Sequence, residues 1–159
     1  MFDGVDLQIM NILQQDARTP NAEIARQLGM APSAILERIR KLEARGVIAG
    51  YEARLDPRAL RQGLLAFILV RSDERYGLQE VGRQLATIPE IQEVHHITGE
   101  DCYLVKMRAA DTDALGRILR ERFGAIESIR STRTTIVLST LKETAQLPLA
   151  VLDEESARD

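Results

Sequence analysis

The apolar residues between positions 20 and 46 fall in two short blocks at helical spacing, parted by Gly29-Met30, and this pattern constrains the fold more than any other. Thr19-Pro20 opens the first block, where Pro20 suits a first helical turn and Glu23 lies near the positive end of the helix dipole. Ile24, Ala25 and Leu28 give that block an inner face, and Gly29 stops it. The second block starts at Ala31-Pro32 and runs to about Arg45, with Ile35, Leu36, Ile39 and Leu42 as one apolar stripe and Gly46 at its end. Two helices joined by a short glycine turn, the second with a free polar face, make a helix-turn-helix. Upstream, Val5, Ile9, Ile12 and Leu13 predict another helix from residue 5 to about 16, with Asp6 near its start as a cap.

Beyond Gly46 the pattern changes. Val47 to Leu55 alternates, with Gly50 allowing a turn, and predicts a short strand or wing leading into the boundary signal Asp56-Pro57. Leu64–Arg71 is a nearly continuous apolar strand, and Leu78, Val81, Leu85 and Ile88 repeat as a helix that Pro89 ends. Ile91–Thr98 and Tyr103–Arg108 are strands around the turn Gly99-Glu100-Asp101. Asp111 caps a helix carrying Leu115, Ile118, Leu119 and Phe123, and Ile126–Leu141 reads as a strand bent near Ser131. The order βαββαβ predicts a ferredoxin-like arrangement, so the chain is α+β with a three-helix winged helix-turn-helix in front.

Composition narrows the function. With 45% hydrophobic and 28% charged residues among 159, the chain is globular rather than disordered. Its longest apolar run, Leu64 to Val70, is far short of the roughly 20 residues a bilayer span needs, so no membrane partner is expected. Met1 to Asp6 lacks the basic start and apolar core of a signal peptide, and a cytoplasmic location is expected. The absence of Trp and the three Tyr and three Phe argue against a single-strand binder that stacks bases on aromatic platforms.

The net charge of −3 does not point to nucleic acid, but its distribution does. Residues 31–61 hold seven basic side chains (Arg38, Arg40, Lys41, Arg45, Arg54, Arg58, Arg61) against four acids. In a helix-turn-helix the N-terminal residues of the second helix reach base edges in duplex DNA, which makes Pro32, Ser33, Ala34, Glu37 and Arg38 the candidates. Arg38 could pair with guanine through two bonds, and Ser33 could donate to a base or phosphate. Arg40, Lys41, Arg45 and Arg54 suit phosphates, which set affinity and salt dependence. A solvated basic face on an ordinary helix explains the same pattern.

Several ordered segments resemble the Lrp/AsnC (leucine-responsive, feast/famine) regulators. They are Asp6–Leu13 with Asp16-Ala17-Arg18, Ala25–Met30, Leu36–Tyr51, Thr98-Gly99, Tyr103–Lys106 and Thr132-Arg133-Thr134. The resemblance implies a transcriptional regulator whose C-terminal αβ sandwich pairs with a second copy through its sheet, the homodimers assembling into tetramers, octamers or larger rings. It also implies an amino acid or related small molecule as effector near the dimer–dimer contacts. Carried across, Gly99, Thr132 and Thr134 are candidate effector residues: glycine lets a backbone amide approach closely, and threonine hydroxyls both donate and accept. Threonine is also simply a common strand residue. Where many members carry an acid before the tyrosine, this chain has Cys102, leaving Glu100 or Asp101 to hold an amino group. Ala31 likewise stands where Ser or Thr is usual.

The domains expected on these grounds are a helix-turn-helix over 1–50, a wing and linker over 51–63, a sensing and oligomerising domain over 64–145, and an acidic tail over 146–159 that frays from Pro148. An architectural protein that wraps DNA with weak sequence preference is the alternative function. An enzyme on the α+β domain is the more distant one, since no nucleophile elbow, P-loop or dinucleotide motif occurs. No metal site or cofactor is expected: His95 and His96 are adjacent on a strand and face opposite ways, and Cys102 is the single cysteine.

Overall fold

The computed structural model describes residues 2–75, 78–100 and 102–149. They form two compact units, one of residues 2–54 with 143–149 and the other of residues 55–142.

The first unit holds helices α1 (Gly4–Gln15), α2 (Asn21–Leu28) and α3 (Pro32–Ala44). Asp3, not Asp6, is the N-cap of α1; Asp6 sits three residues on and closes a reciprocal capping box with it. Ile9, Ile24 and Ile35 meet fully buried between the helices, each contributing about 1.5–3 kcal/mol by leaving water. Ile35, Ile39 and Leu42 are the buried side of α3. Leu36, expected in that stripe, is 36% exposed, because it lies about 100° around the helix from Ile35.

The strand expected over Val47–Leu55 does not form. Val47 and Ile48 both donate their N–H groups to the Leu42 carbonyl, closing the end of α3, and the chain then runs on without a ladder. An extended segment needs a neighbouring strand to satisfy its backbone, and none of the described residues supplies one. Of the tail expected to fray from Pro148, only Pro148 and Leu149 are described, and the segment 146–149 is held against α1. The Gln14 side-chain amide bonds the Leu147 backbone on both sides (3.1 and 2.7 Å), Gln146 Nε2 donates to the Gln14 carbonyl, and Leu149 packs on the helical core. Residues 150–159 of the acidic tail lie outside the described residues.

The second unit is a four-stranded antiparallel sheet in the order β2-β3-β1-β4, with β1 Leu64–Ser72, β2 Ile91–His96, β3 Tyr103–Ala109 and β4 Ile129–Ile136. This is the ferredoxin-like arrangement. Helix α4 (Glu80–Leu85) joins β1 to β2, and α5 (Thr112–Ile118) with a π-helical turn (Leu119–Phe123) joins β3 to β4. Asp111 caps α5 as expected. Helix α4 is shorter than its periodicity suggests, and Leu78 stays 53% exposed. Strand β4 is also shorter than the stretch Ile126–Leu141: its one ladder partner, β1, begins at Leu64, and the last bond runs from Val137 N to the Leu65 carbonyl.

One sheet face is closed by the helices. Ala66, Ile68, Val70, Tyr103, Val105 and Met107 pack there with Val81, Leu85, Leu115 and Phe123. Tyr103 is 1% exposed and donates its hydroxyl to Glu74, whose other oxygen accepts the Val81 N–H of α4 at 3.1 Å. Burial and that carboxylate push the phenol up to about 12. Gly82 is required by this approach, since a Cβ there would lie 2.6 Å from the Tyr103 ring. The opposite face carries Phe67, Leu69 and Leu104, half-buried, in register with Lys106, Arg133 and Thr135.

Candidate nucleic-acid interface

The turn between α2 and α3 follows directly from its residues. Gly29 takes φ +63°, where a side chain would be strained, and the Met30 N–H returns to the Ala25 carbonyl. Pro32 then occupies the first turn of α3, and Ala31 offers no side-chain cap. Because Ile35, Ile39 and Leu42 face inward, Ser33, Glu37, Arg40, Lys41 and Ala44 are exposed on the other side, with Pro32 exposed and Ala34 half-buried beside them.

The charged residues on α3 differ in what holds them. Lys41 pairs with Glu37 one turn back at 2.7 Å; both side chains stay about two-thirds in solvent, and the ammonium holds the Glu37 carboxyl below its usual range. Arg40 makes no ion pair among the described residues. Arg45 lies 4.7 Å over the Phe2 ring, a cation–π contact. Arg54 is spent on the Glu143 backbone carbonyl. Arg38 is turned the other way: its Nη1 donates to Asp3 and Asp6, each at 2.7 Å, and its side chain is 30% exposed. Arg38, a candidate base reader on the flank of the apolar stripe, has its guanidinium engaged by two carboxylates at the start of α1. An open groove of about 360 Å³ runs along this flank, lined in part by Asp6, Met30, Arg38 and Arg45.

Three functional neighbours escaped the sequence reading. Asp3 and Phe2 lie in a segment that periodicity ignores, although Asp3-x-x-Asp6 is itself a capping-box spacing. Tyr51 donates to Glu43 at 3.0 Å and ties the segment after α3 back onto that helix; burial, then the carboxylate, push its phenol up to about 12.

In the second unit the effector candidates are only partly gathered. Gly99 takes φ +112° in the turn between β2 and β3, and Glu100 lies 3.6 Å from Arg71. Cys102 donates its N–H to the Val70 carbonyl and its thiol to the Ser72 carbonyl at 3.6 Å. Thr132 pairs with the same Val70 from the other side, and Thr134 pairs with Ile68. Cys102 and Thr132 thus share one end of the sheet with β1 between them. Thr132 also lines an open cavity of about 270 Å³ with Phe123, Glu127 and Arg130. Asp101 lies outside the described residues. His95 pairs with Glu93 at 3.0 Å, while His96 packs against Tyr103. Among the described residues no cluster of three or more His, Cys, Asp or Glu is placed to hold a metal, and no helix is long and apolar enough to cross a membrane.

A helix-turn-helix with a solvent-facing polar stripe, carried in one chain with a ferredoxin-like unit, defines a DNA-binding regulator with an appended second domain. Residues 2–43 match the AsnC-type helix-turn-helix domain, and residues 65–147 match the Lrp/AsnC ligand binding domain. The chain belongs to the Lrp/AsnC family of transcriptional regulators, whose members here are regulators and not enzymes. It is 43% identical over 149 residues to the HTH-type transcriptional regulator FL11 of Pyrococcus horikoshii, covering 93% of this chain and 97% of that one. It is 36% identical to the leucine-responsive regulatory protein of Escherichia coli K12, covering 92% and 90%. A transcriptional regulator from Neisseria meningitidis, solved in complex with L-methionine, superposes with a TM-score of 0.88 at 27% identity, covering 94% of this chain and 97% of that one.

Proposed function

We propose that α3 enters the major groove of duplex DNA with Pro32, Ser33, Ala34 and Glu37 toward base edges and Arg40, Lys41 and Arg45 toward phosphates, and that the C-terminal unit senses an amino acid. The observation that carries this reading is the division of α3 into a buried apolar side (Ile35, Ile39, Leu42) and an exposed polar one (Ser33, Glu37, Arg40, Lys41). Arg54, bonded to a backbone carbonyl, reaches a phosphate only by exchanging that bond. Arg38 is left out of the base readers.

Two copies pair through the sheet face bearing Phe67, Leu69 and Leu104, which no helix among the described residues of that unit covers, and the dimers assemble further into a tetramer or octamer. The effector contacts Gly99, Glu100, Asp101, Cys102, Thr132 and Thr134. The N. meningitidis relative solved with L-methionine supports an amino-acid effector. The protein acts in the cytoplasm.

The test is footprinting on its own promoter region at moderate salt, with sedimentation in the presence and absence of each common amino acid. Protection over half-sites about one helical turn apart, or a multiple of that, is expected of a two-fold dimer. Protection no stronger than on random DNA removes the sequence-specific reading and leaves a wrapping protein. No amino acid changing mass or DNA affinity removes the effector reading.

A further inference from the structure

The start of α1 and the middle of α3 are joined by a closed ring of hydrogen bonds. Asp3 and Asp6 each divide their two carboxylate oxygens between two tasks. Asp3 Oδ1 accepts the Asp6 N–H at 2.8 Å, and Asp6 Oδ2 accepts the Asp3 N–H at 3.4 Å; together these make the capping box of α1. The remaining oxygens, Asp3 Oδ2 and Asp6 Oδ1, both accept from the single nitrogen Nη1 of Arg38. One set of carboxylates therefore starts the first helix and grips the third.

A second contact lies along the same flank. Arg45 is seven positions beyond Arg38, two helical turns on, and stacks over Phe2 of the same N-terminal segment. Residues 2–6 thus touch α3 at two heights. The buried stripe Ile35, Ile39 and Leu42 sets which side of α3 faces inward, but apolar contact is non-directional and holds the fine rotation less sharply than a directional bond does. Hydrogen bonds between fixed donors and acceptors are directional. The grip on Arg38 supplies what the core lacks.

We infer that Arg38 is a positioning residue: held by Asp3 and Asp6, it fixes the rotation of α3 so that Ser33, Glu37, Arg40 and Lys41 meet the groove in one register. It acts through the helix and does not touch DNA. This rests on the reading of α3 as the DNA-contacting helix.

The experiment compares wild type, Arg38→Ala, Arg38→Lys, the double variant Asp3→Asn with Asp6→Asn, and the triple combination of that double variant with Arg38→Ala. Asn keeps the helix cap while removing the charge, and Lys offers three donors from one nitrogen. Each protein is titrated, at a temperature where circular dichroism shows it folded, with a duplex that wild type selects from a randomised pool and with bulk genomic DNA. The expected result is a fall of about tenfold in the selected-to-bulk ratio for Arg38→Ala, the size of one mismatched base pair. The double variant reproduces that fall, the triple variant adds nothing to it, and Arg38→Lys recovers most of the ratio. The salt slope stays at the wild-type value in all of them. A role confined to stability would leave the ratio unmoved while every protein is folded.

A salt slope lowered by about one in Arg38→Ala would mean a phosphate contact and overturn the inference. So would a full ratio in the double variant. A wild type that selects no sequence removes the regulator reading instead. The grip is then judged by thermal melting of the same set, where strictly additive losses from Arg38→Ala and the double variant overturn it.

Discussion

The helical unit and the sheet unit finish their folds differently. In the first, three helices and the returning segment 143–149 bury Ile9, Ile24, Ile35 and Leu42 among themselves, and what faces outward on α3 is mostly polar, Leu36 and Ala44 apart. In the second, α4 and α5 close one side of the sheet, and Phe67, Leu69 and Leu104 remain on the other. The helical unit, its inner residues packed, presents the charged residues of α3 to solvent. The sheet face without a helix over it is the surface that the proposed pairing of two copies would use. The same contrast separates the candidate sites: the residues proposed to face DNA lie mostly on one helix, while the effector candidates are spread over a turn and two strands.

This comparison can be broken in several places. Ile35→Ala should cost about 2–5 kcal/mol, as for other large-to-small core changes. In urea, followed by circular dichroism and by tryptophan introduced into each unit, only the helical unit should unfold earlier; joint movement of both would make the chain one cooperative block. Leu69→Glu buries a charge if the sheet face is a self-contact, so sedimentation should show the mass of the assembly fall to that of a single chain, and an unchanged mass refutes the face as an interface. Lys41→Ala should weaken all duplex sequences alike and reduce the salt slope by about 0.9; a change confined to one operator sequence would make Lys41 a base reader.

The smallest effect concerns acid. The Asp6 backbone N–H, then Arg38, hold the Asp3 carboxyl below its ordinary value. A depressed carboxylate contributes stability that is present above its unfolded value near 3.8 and lost as pH falls through the lower folded one. As pH falls from above about 4 into the acid range below it, wild type should lose slightly more urea resistance than Asp3→Asn. Parallel curves would show that the carboxylate contributes nothing.

Much of this was legible in the residues. Pro32, the Ile35–Ile39–Leu42 spacing and Gly46 mark α3 to within a residue, and the switch to continuous apolar runs after Leu64 marks the sheet. Arg38 was not legible. An arginine flanking an apolar stripe reads the same whether it faces a groove or a carboxylate 32 positions earlier in the chain. The strand after Val47 failed for a related reason, since alternation predicts a strand only where a partner exists. The effector candidates are harder still: Cys102 and Thr132 come together only through their shared neighbour Val70, a pairing set by sheet topology and by no local signal.

The return of residues 146–149 to α1 has a consequence for biosynthesis. Gln14 emerges from the ribosome long before Leu147, so its amide group must wait for a partner 133 positions downstream. The α1–α3 bundle can collapse early on its isoleucines, but its last hydrogen bonds close only after the whole sheet unit has been translated. A chain stalled before that point would carry α3 without this fastening, and synthesis of the later segment becomes the step that completes the part made first.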